Sequence, residues 1–389
     1  MTLDPPEPPR PVSRRAWLAG AATGSFVALS APARGRSDAD DLAAILAPIR
    51  RRYDLPALAA AVIRDGRVTR RAAVGVREHG RPERVTVTDR FHLGSCTKAM
   101  TATLLAMLVE EGRLAWETTL AEALPDLRGA IPESRRRATV AMLLCHRGGF
   151  PERSAPHGQT LLDLHRLEGP LTEQRRHFVE RILREEPAYE PGTRTLYSNA
   201  GYVVAGHVAE VVGGAPYETL MRQRLFRPLG MTTAGFGPMG SADRVDQPRQ
   251  HVRRGDRHEA ILPGPRADNP PVLQSAGRVH CSIEDWAKFV ALHARVGEGR
   301  PALLAPETVR RLHTPPFGDD AAMGWFVVER AWGGGAVLHH AGSNTLNFAV
   351  AWVAPRKRFA VVVATNEGGA VAPRACDDVA AALVRRYAG

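Results

Sequence analysis

Ser95-Cys96-Thr97-Lys98 sets a hydroxyl and an amine three residues apart, at the start of an apolar run from Ala99 to Glu111. The run predicts a helix. On a helix, positions i and i+3 share a face, so the Lys98 amine can reach the Ser95 hydroxyl. A serine hydroxyl is a weak nucleophile until a neighbouring base takes its proton, and a desolvated lysine can be that base. Composition sharpens the pairing. Of the 52 Lys and Arg residues only three are lysines, at positions Lys98, Lys288 and Lys357. Arginine keeps its proton in a protein, whereas lysine can release it. A lysine placed here, in a chain that otherwise carries its positive charge on arginine, points to proton transfer. The structural alternative is a helix-capping serine followed by a solvated lysine.

Two further groups carry chemistry. Tyr197-Ser198-Asn199 follows the turn signal Glu190-Pro191-Gly192 and precedes a helical pattern. In extended backbone Tyr197 and Asn199 point to the same side. A phenol shuttles protons when nearby cations lower its pKa, and an amide orients a carbonyl. Taken alone, the pair reads first as a core tyrosine and an N-cap asparagine. His339-His340-Ala341-Gly342-Ser343 stands before a β-rich run. A glycine there permits close backbone approach to a ligand, and the N–H after it can serve as an oxyanion donor.

The elements that must position these groups are legible in outline. Ser37 to Tyr53 has the pattern of a capped amphipathic helix. Leu55–Arg64 and Arg67–Val76 are apolar runs joined by Asp65-Gly66, a hairpin signal. Asn347–Val353 and Phe359–Thr365 form a second β-rich pair, followed by a helix from Ala372 to Tyr387. The fold class is therefore α/β (α+β): an antiparallel sheet assembled from both chain termini and flanked by helices. A mainly helical region, 121–271, is inserted into a core made of 38–120 and 272–389.

Bulk properties set bounds. At 389 residues, 44% hydrophobic and 24% charged, the chain suits a soluble globular enzyme. The formal charge of +11 comes from scattered arginines with no basic stripe interleaved with aromatics, which argues against a nucleic-acid partner. Residues 1–33 place Arg14-Arg15 before a weak apolar stretch and the small residues Ala31-Pro32-Ala33. That pattern predicts a twin-arginine-type signal and a periplasmic or secreted protein, with no stable membrane span after processing. Residues 34–389 would then be the working domain. The four cysteines, Cys96, Cys145, Cys281 and Cys376, show no metal-ligand or redox spacing, so buried thiols are expected, with no metal and no cofactor.

With these pieces in order, Phe91-His92-Leu93-Gly94-Ser95-Cys96-Thr97-Lys98, Tyr197-Ser198-Asn199 and His340-Ala341-Gly342 resemble the three motifs of the serine β-lactamase and D-Ala-D-Ala carboxypeptidase superfamily, class C type. Leu143-Leu144-Cys145-His146-Arg147-Gly148-Gly149, Arg227 to Thr232 and Ser275-Ala276-Gly277 fit the same likeness, which covers residues 38 to 389. The resemblance implies that Ser95 attacks a carbonyl to form an acyl-enzyme. It implies that Lys98 and Tyr197 exchange the proton and that Asn199 holds substrate. The N–H groups of Ser95 and Ser343 would form the oxyanion hole, with Gly342 beside them. Whether Lys98 or Tyr197 is the acylation base stays open at this level.

One departure bears on substrate. The third motif of true β-lactamases is commonly Lys-Thr-Gly; here His340 and Ala341 stand in the first two places. Alanine cannot donate the hydrogen bond that the family's threonine gives a substrate carboxylate, a loss of about ten- to a hundredfold in affinity. The Ser343 hydroxyl is expected to compensate in part. The expectation is an exported serine hydrolase taking a small-molecule or peptide substrate: an esterase, amidase or D-amino-acid peptidase rather than an efficient β-lactamase. A catalytically silent relative that binds peptidoglycan or peptide fragments is the alternative.

Overall fold

The computed structural model describes residues 38–295 and 303–389. The twin-arginine segment, 1–33, lies outside the described residues. Strands β1 (Ala57–Arg64) and β2 (Arg67–Gly75) make the expected hairpin. Its two-residue turn holds Asp65 at φ 52° and Gly66 at φ 70°, the left-handed pair that a tight hairpin turn requires. Further on come β3 (Arg90–His92), β4 (Gly235–Phe236), β5 (Gln250–Arg254), β6 (Arg257–Ile261) and β7 (Val279–Ser282). The last five strands are β8 (Ala321–Ala322), β9 (Trp325–Arg330), β10 (Gly335–Ser343), β11 (Phe348–Ala354) and β12 (Phe359–Thr365). The main antiparallel sheet runs β2-β1-β12-β11-β10-β9-β8, so β1 and β12, from the two ends of the chain, pair inside it.

Strands β1 and β12 are buried on both faces, which is why each reads as an unbroken apolar run. The alternation survives in what each residue touches. Leu58, Ala60, Val62, Phe359, Val361 and Val363 pack under the terminal helices Asp38–Arg52 and Val371–Tyr387. Ala59, Ala61, Ile63, Ala360 and Val362 face the larger core, where helix Ile283–Ala294 lies. Each fully buried Val or Leu in these layers contributes roughly 1.5–3 kcal/mol.

Helix Thr97–Glu110 runs through that larger core. Its residues from Thr97 to Leu108 are all buried, so it has almost no polar face and is enclosed on every side. It packs against helix Asn199–Gly213. In the small sheet β3-β7-β4, His92 pairs with His280 and so docks the segment entering Ser95 onto the one leaving the inserted region. Within 121–271 the pattern is mainly helical, but the β5–β6 hairpin was not expected. Its inward residues Gln250 and His251 are polar and bond to Asn344, Asn347 and the Asn366 carbonyl. No apolar alternation was therefore there to be read. All four cysteines are buried and unpaired. No helix among the described residues is long and apolar enough to cross a membrane.

Candidate active site

Ser95 sits in a 3-10 turn, Gly94–Cys96, that feeds directly into helix Thr97–Glu110. Two glycines make the position possible. Gly94 has φ +51°, and a Cβ there would meet the Ser343 nitrogen at 2.2 Å. Across from it, a Cβ on Gly342 would meet the Leu93 carbonyl oxygen at 2.1 Å and the Ser95 nitrogen at 2.5 Å. The turn and the end of β10 are thus pressed backbone to backbone, as close approach by glycine allows. Pairing of β10 with β9 stops at His339, so the stretch His340–Ser343 has one open edge beside the turn.

The capping alternative fails. Cys96, not Ser95, occupies the helix N-cap and makes no side-chain cap bond. Lys98 is not solvated but 0% exposed. Its Nζ lies 3.0 Å from Ser95 Oγ and donates to Asn199 Oδ1 at 2.7 Å and to the Ala276 carbonyl at 2.7 Å. No carboxylate pairs with it among the described residues. Burial therefore drives the amine's pKa well below 10.5, because an unpaired charge is disfavoured there. A neutral amine facing a serine hydroxyl can accept its proton.

Tyr197 precedes helix Asn199–Gly213, and Ser198 caps that helix by accepting from the Gly201 N–H at 3.2 Å. With capping done by Ser198, Asn199 is free to turn its amide to the site: Oδ1 to Lys98, Nδ2 to Ser154 Oγ at 2.9 Å. The Tyr197 ring stands over Lys98, with Nζ 4.7 Å from its centroid. The sequence reading of a phenol acidified by neighbouring cations is overturned. Burial raises the Tyr197 pKa, and a bond with Ser95 offsets this only in part. The nearest amine is itself driven toward its neutral form, so the lowering charge is missing.

His340 lies 3% exposed, its ring centre 6.4 Å from that of Tyr197. Its Nδ1 bonds the Ala341 carbonyl at 2.7 Å, while Nε2 is buried without a partner. Burial is the main cause that lowers its pKa, to about 3, so the ring is neutral. Ala341 is exposed on the open edge. The compensation expected of Ser343 is not realised: its Oγ donates to the Asn347 carbonyl at 2.7 Å and accepts from the Thr345 N–H at 2.9 Å. The hydroxyl closes its own turn.

All seven residues singled out from sequence thus gather at one place. Others had no assigned role. His146, at φ +58°, accepts the Ser198 N–H on Nδ1 at 3.1 Å and lays its ring 4.4 Å from that of Tyr197. The Gly148-Gly149 pair beside it is a turn signal that the sequence offers. Arg147 bonds Thr195 Oγ1 at 3.1 Å and the Gly192 carbonyl at 3.0 Å, clamping the loop that carries Tyr197. Ser154 gave no local signal at all. Among the described residues no cluster of three His, Cys, Asp or Glu side chains is placed to hold a metal ion.

Comparison with known proteins agrees with this geometry. The family model described as Beta-lactamase matches residues 5–386. Penicillin-binding protein 4 of Amycolatopsis lactamdurans is 28% identical over 342 residues, covering 82% of this chain and 83% of that protein. The structure of D-amino acid amidase from Ochrobactrum anthropi superposes with TM-score 0.68 at 20% identity, over 89% of this chain and 99% of that one. EstCE1, a hydrolase with promiscuous acyltransferase activity, superposes with TM-score 0.71 at 18% identity, over 88% and 98%. The two structural likenesses establish the shared fold. With a family model spanning nearly the whole sequence, the chain belongs to the beta-lactamase family, as a serine hydrolase of beta-lactamase fold.

Proposed function

We propose that the protein is an exported serine hydrolase that cleaves an ester, an amide or a D-amino-acid peptide through an acyl-enzyme on Ser95. The carrying observation is the buried Lys98 amine, 3.0 Å from Ser95 Oγ and without a carboxylate partner. Neutral Nζ takes the Ser95 proton as Oγ bonds to the substrate carbonyl carbon. The N–H groups of Ser95 and Ser343, brought together by Gly94 and Gly342, receive the developing oxyanion. The protonated amine passes its proton through the Tyr197 hydroxyl to the leaving group as the old bond breaks. Water then attacks the acyl carbon, and Ser95 regains its proton. Tyr197 serves as donor because burial holds its phenol protonated. Asn199, anchored by Lys98 and Ser154, presents its amide to the substrate carbonyl or amide.

The open edge of β10 supports the substrate class. Ala341 offers no hydroxyl and Ser343 has none to spare, so a carboxylate beside the scissile bond finds no side-chain donor there. A D-amino acid amidase and a hydrolase with promiscuous acyltransferase activity share this fold, which is compatible with such a preference. The test is reaction with a fluorophosphonate, read by intact mass, with p-nitrophenyl esters, D-amino-acid amides and nitrocefin assayed in parallel. One adduct is expected, absent in Ser95→Ala, with ester or amide turnover exceeding nitrocefin turnover. A Ser95→Ala protein that still takes the adduct, or keeps turnover within tenfold, refutes the nucleophile.

A further inference from the structure

We propose that Asp268 is a positioning residue whose carboxylate sets the geometry of the oxyanion hole by holding both of its halves. The inference rests on the reading of the Ser95 and Ser343 N–H groups as the oxyanion donors. Asp268 comes from the end of the inserted region, remote in sequence from either donor, and its side chain is 0% exposed. One oxygen, Oδ2, bonds His92 Nε2 at 2.9 Å and Arg278 Nε at 3.0 Å. The other, Oδ1, accepts from Asn344 Nδ2 at 3.0 Å and from the Asn269 N–H at 2.7 Å.

Each arm ends one residue from a donor. On one side the Gly94 N–H donates to His92 Nδ1 at 3.1 Å. Nδ1 accepts, so the ring proton sits on Nε2 and donates to Asp268. The chain Asp268, His92, Gly94 thereby fixes the Leu93–Gly94 peptide, which enters the glycine held in its left-handed conformation one peptide before the Ser95 N–H. On the other side Asn344 directly follows Ser343. Its Oδ1 accepts the N–H groups of Leu346 at 3.2 Å and Asn347 at 3.0 Å, closing the turn after β10. Its Nδ2 is shared between Asp268 and Gln250 Oε1.

A separation between two N–H groups that must converge on one oxygen is sensitive to sub-ångström drift. One buried group bonded to both halves is the economical way to fix it. Burial would push the Asp268 carboxyl up, but the contacts of His92, Arg278 and Asn344 bring its pKa down to about 2. It therefore stays an acceptor-only anion, able to orient both donors at any working pH.

The test compares Asp268→Asn, His92→Asn and His92→Gln with the parent chain. His92→Asn keeps an acceptor near the Gly94 N–H and cuts the link to Asp268; His92→Gln does the reverse. Four readouts are taken: kcat and KM on p-nitrophenyl butyrate, Ki for phenylboronic acid, fluorophosphonate adduct on Ser95, and Tm. Each variant should lose at least about tenfold in kcat with KM within about threefold, as expected when a transition-state donor is displaced. Boronate Ki should weaken in proportion, because its tetrahedral adduct uses the same donors, while Ser95 still takes the fluorophosphonate. A lower Tm with kcat and boronate Ki within threefold of the parent overturns the inference and leaves Asp268 a packing residue. If Asp268→Asn does not fold, the two His92 variants decide by the same criteria. A parent chain that forms no Ser95 adduct overturns the nucleophile reading, and this inference with it.

Discussion

Replacing Lys98 by arginine puts a permanent charge where burial favours a neutral amine, and removes the proposed base. Lys98 Nζ reaches Ser95 Oγ at 3.0 Å and two neutral acceptors, Asn199 Oδ1 and the Ala276 carbonyl, at 2.7 Å each, with no exposure to solvent. General-base catalysis is worth about 10²–10⁴ in rate, or roughly 2.7–5.4 kcal/mol of barrier, and arginine forfeits all of it because it holds its proton. Enclosing a permanent charge costs several kcal/mol after relaxation, on the order estimated for buried ions. Hydrogen bonds from that charge to the two neutral acceptors offset about 1.5–3 kcal/mol each. The two largely cancel, and any remainder is small against a reserve of about 5–15 kcal/mol, so the variant should fold with at most a modestly lowered Tm. Its acylation rate should fall at least about a hundredfold. The assay is the pre-steady-state burst of p-nitrophenol from an activated ester, which separates acylation from turnover, with thermal melts as the folding control. Lys98→Met should match the loss of rate without the buried charge. A Lys98→Arg protein acylating at more than a tenth of the parent rate would refute the argument. Lys98 would then be an electrostatic partner, and the base would be Tyr197.

Because burial depresses the Lys98 pKa, kcat/KM should rise with pH and level off well below 10.5, once the folded-state amine is neutral; a rising limb at the free-lysine value speaks against Lys98 as base. In the same window the unfolded chain binds the extra proton. Folding stability should therefore increase with pH up to about 10.5 and be lost as pH falls toward the folded-state pKa; urea midpoints across pH should show this slope reduced in Lys98→Met. Ala341→Thr places a hydroxyl on the exposed edge of β10, where Ser343 cannot serve, and should raise kcat/KM about tenfold for penicillins or peptides ending in D-alanine. Unchanged carboxylate-bearing substrates beside intact ester turnover would put the selectivity elsewhere. Arg14→Lys with Arg15→Lys should strand the protein in the cytoplasm, read by fractionation, and normal export of that variant excludes a twin-arginine route.

Sequence alone determined whatever is written in local pattern. The sheet built from both termini was legible because β1, β11 and β12 are runs of apolar residues, with Asp65-Gly66 marking the turn into β2. The Ser95–Lys98 pair was legible because helical spacing by itself puts the two side chains within reach. What tertiary structure decided has no such local signature. Lys98 is driven toward its neutral form because several distant segments enclose it and, among the described residues, none brings a carboxylate. Tyr197 stays protonated for the same reason, against the sequence expectation. Ser198 and not Asn199 caps the helix, which frees Asn199 for the site. Ser343 spends its hydroxyl on its own turn. The β5–β6 hairpin and the Asp268 network are polar and join residues as far apart as His92 and Asn344. Hydrophobic periodicity reports which face of an element is buried. It carries no information on which buried polar group meets which, and proton affinity at this site depends on that pairing.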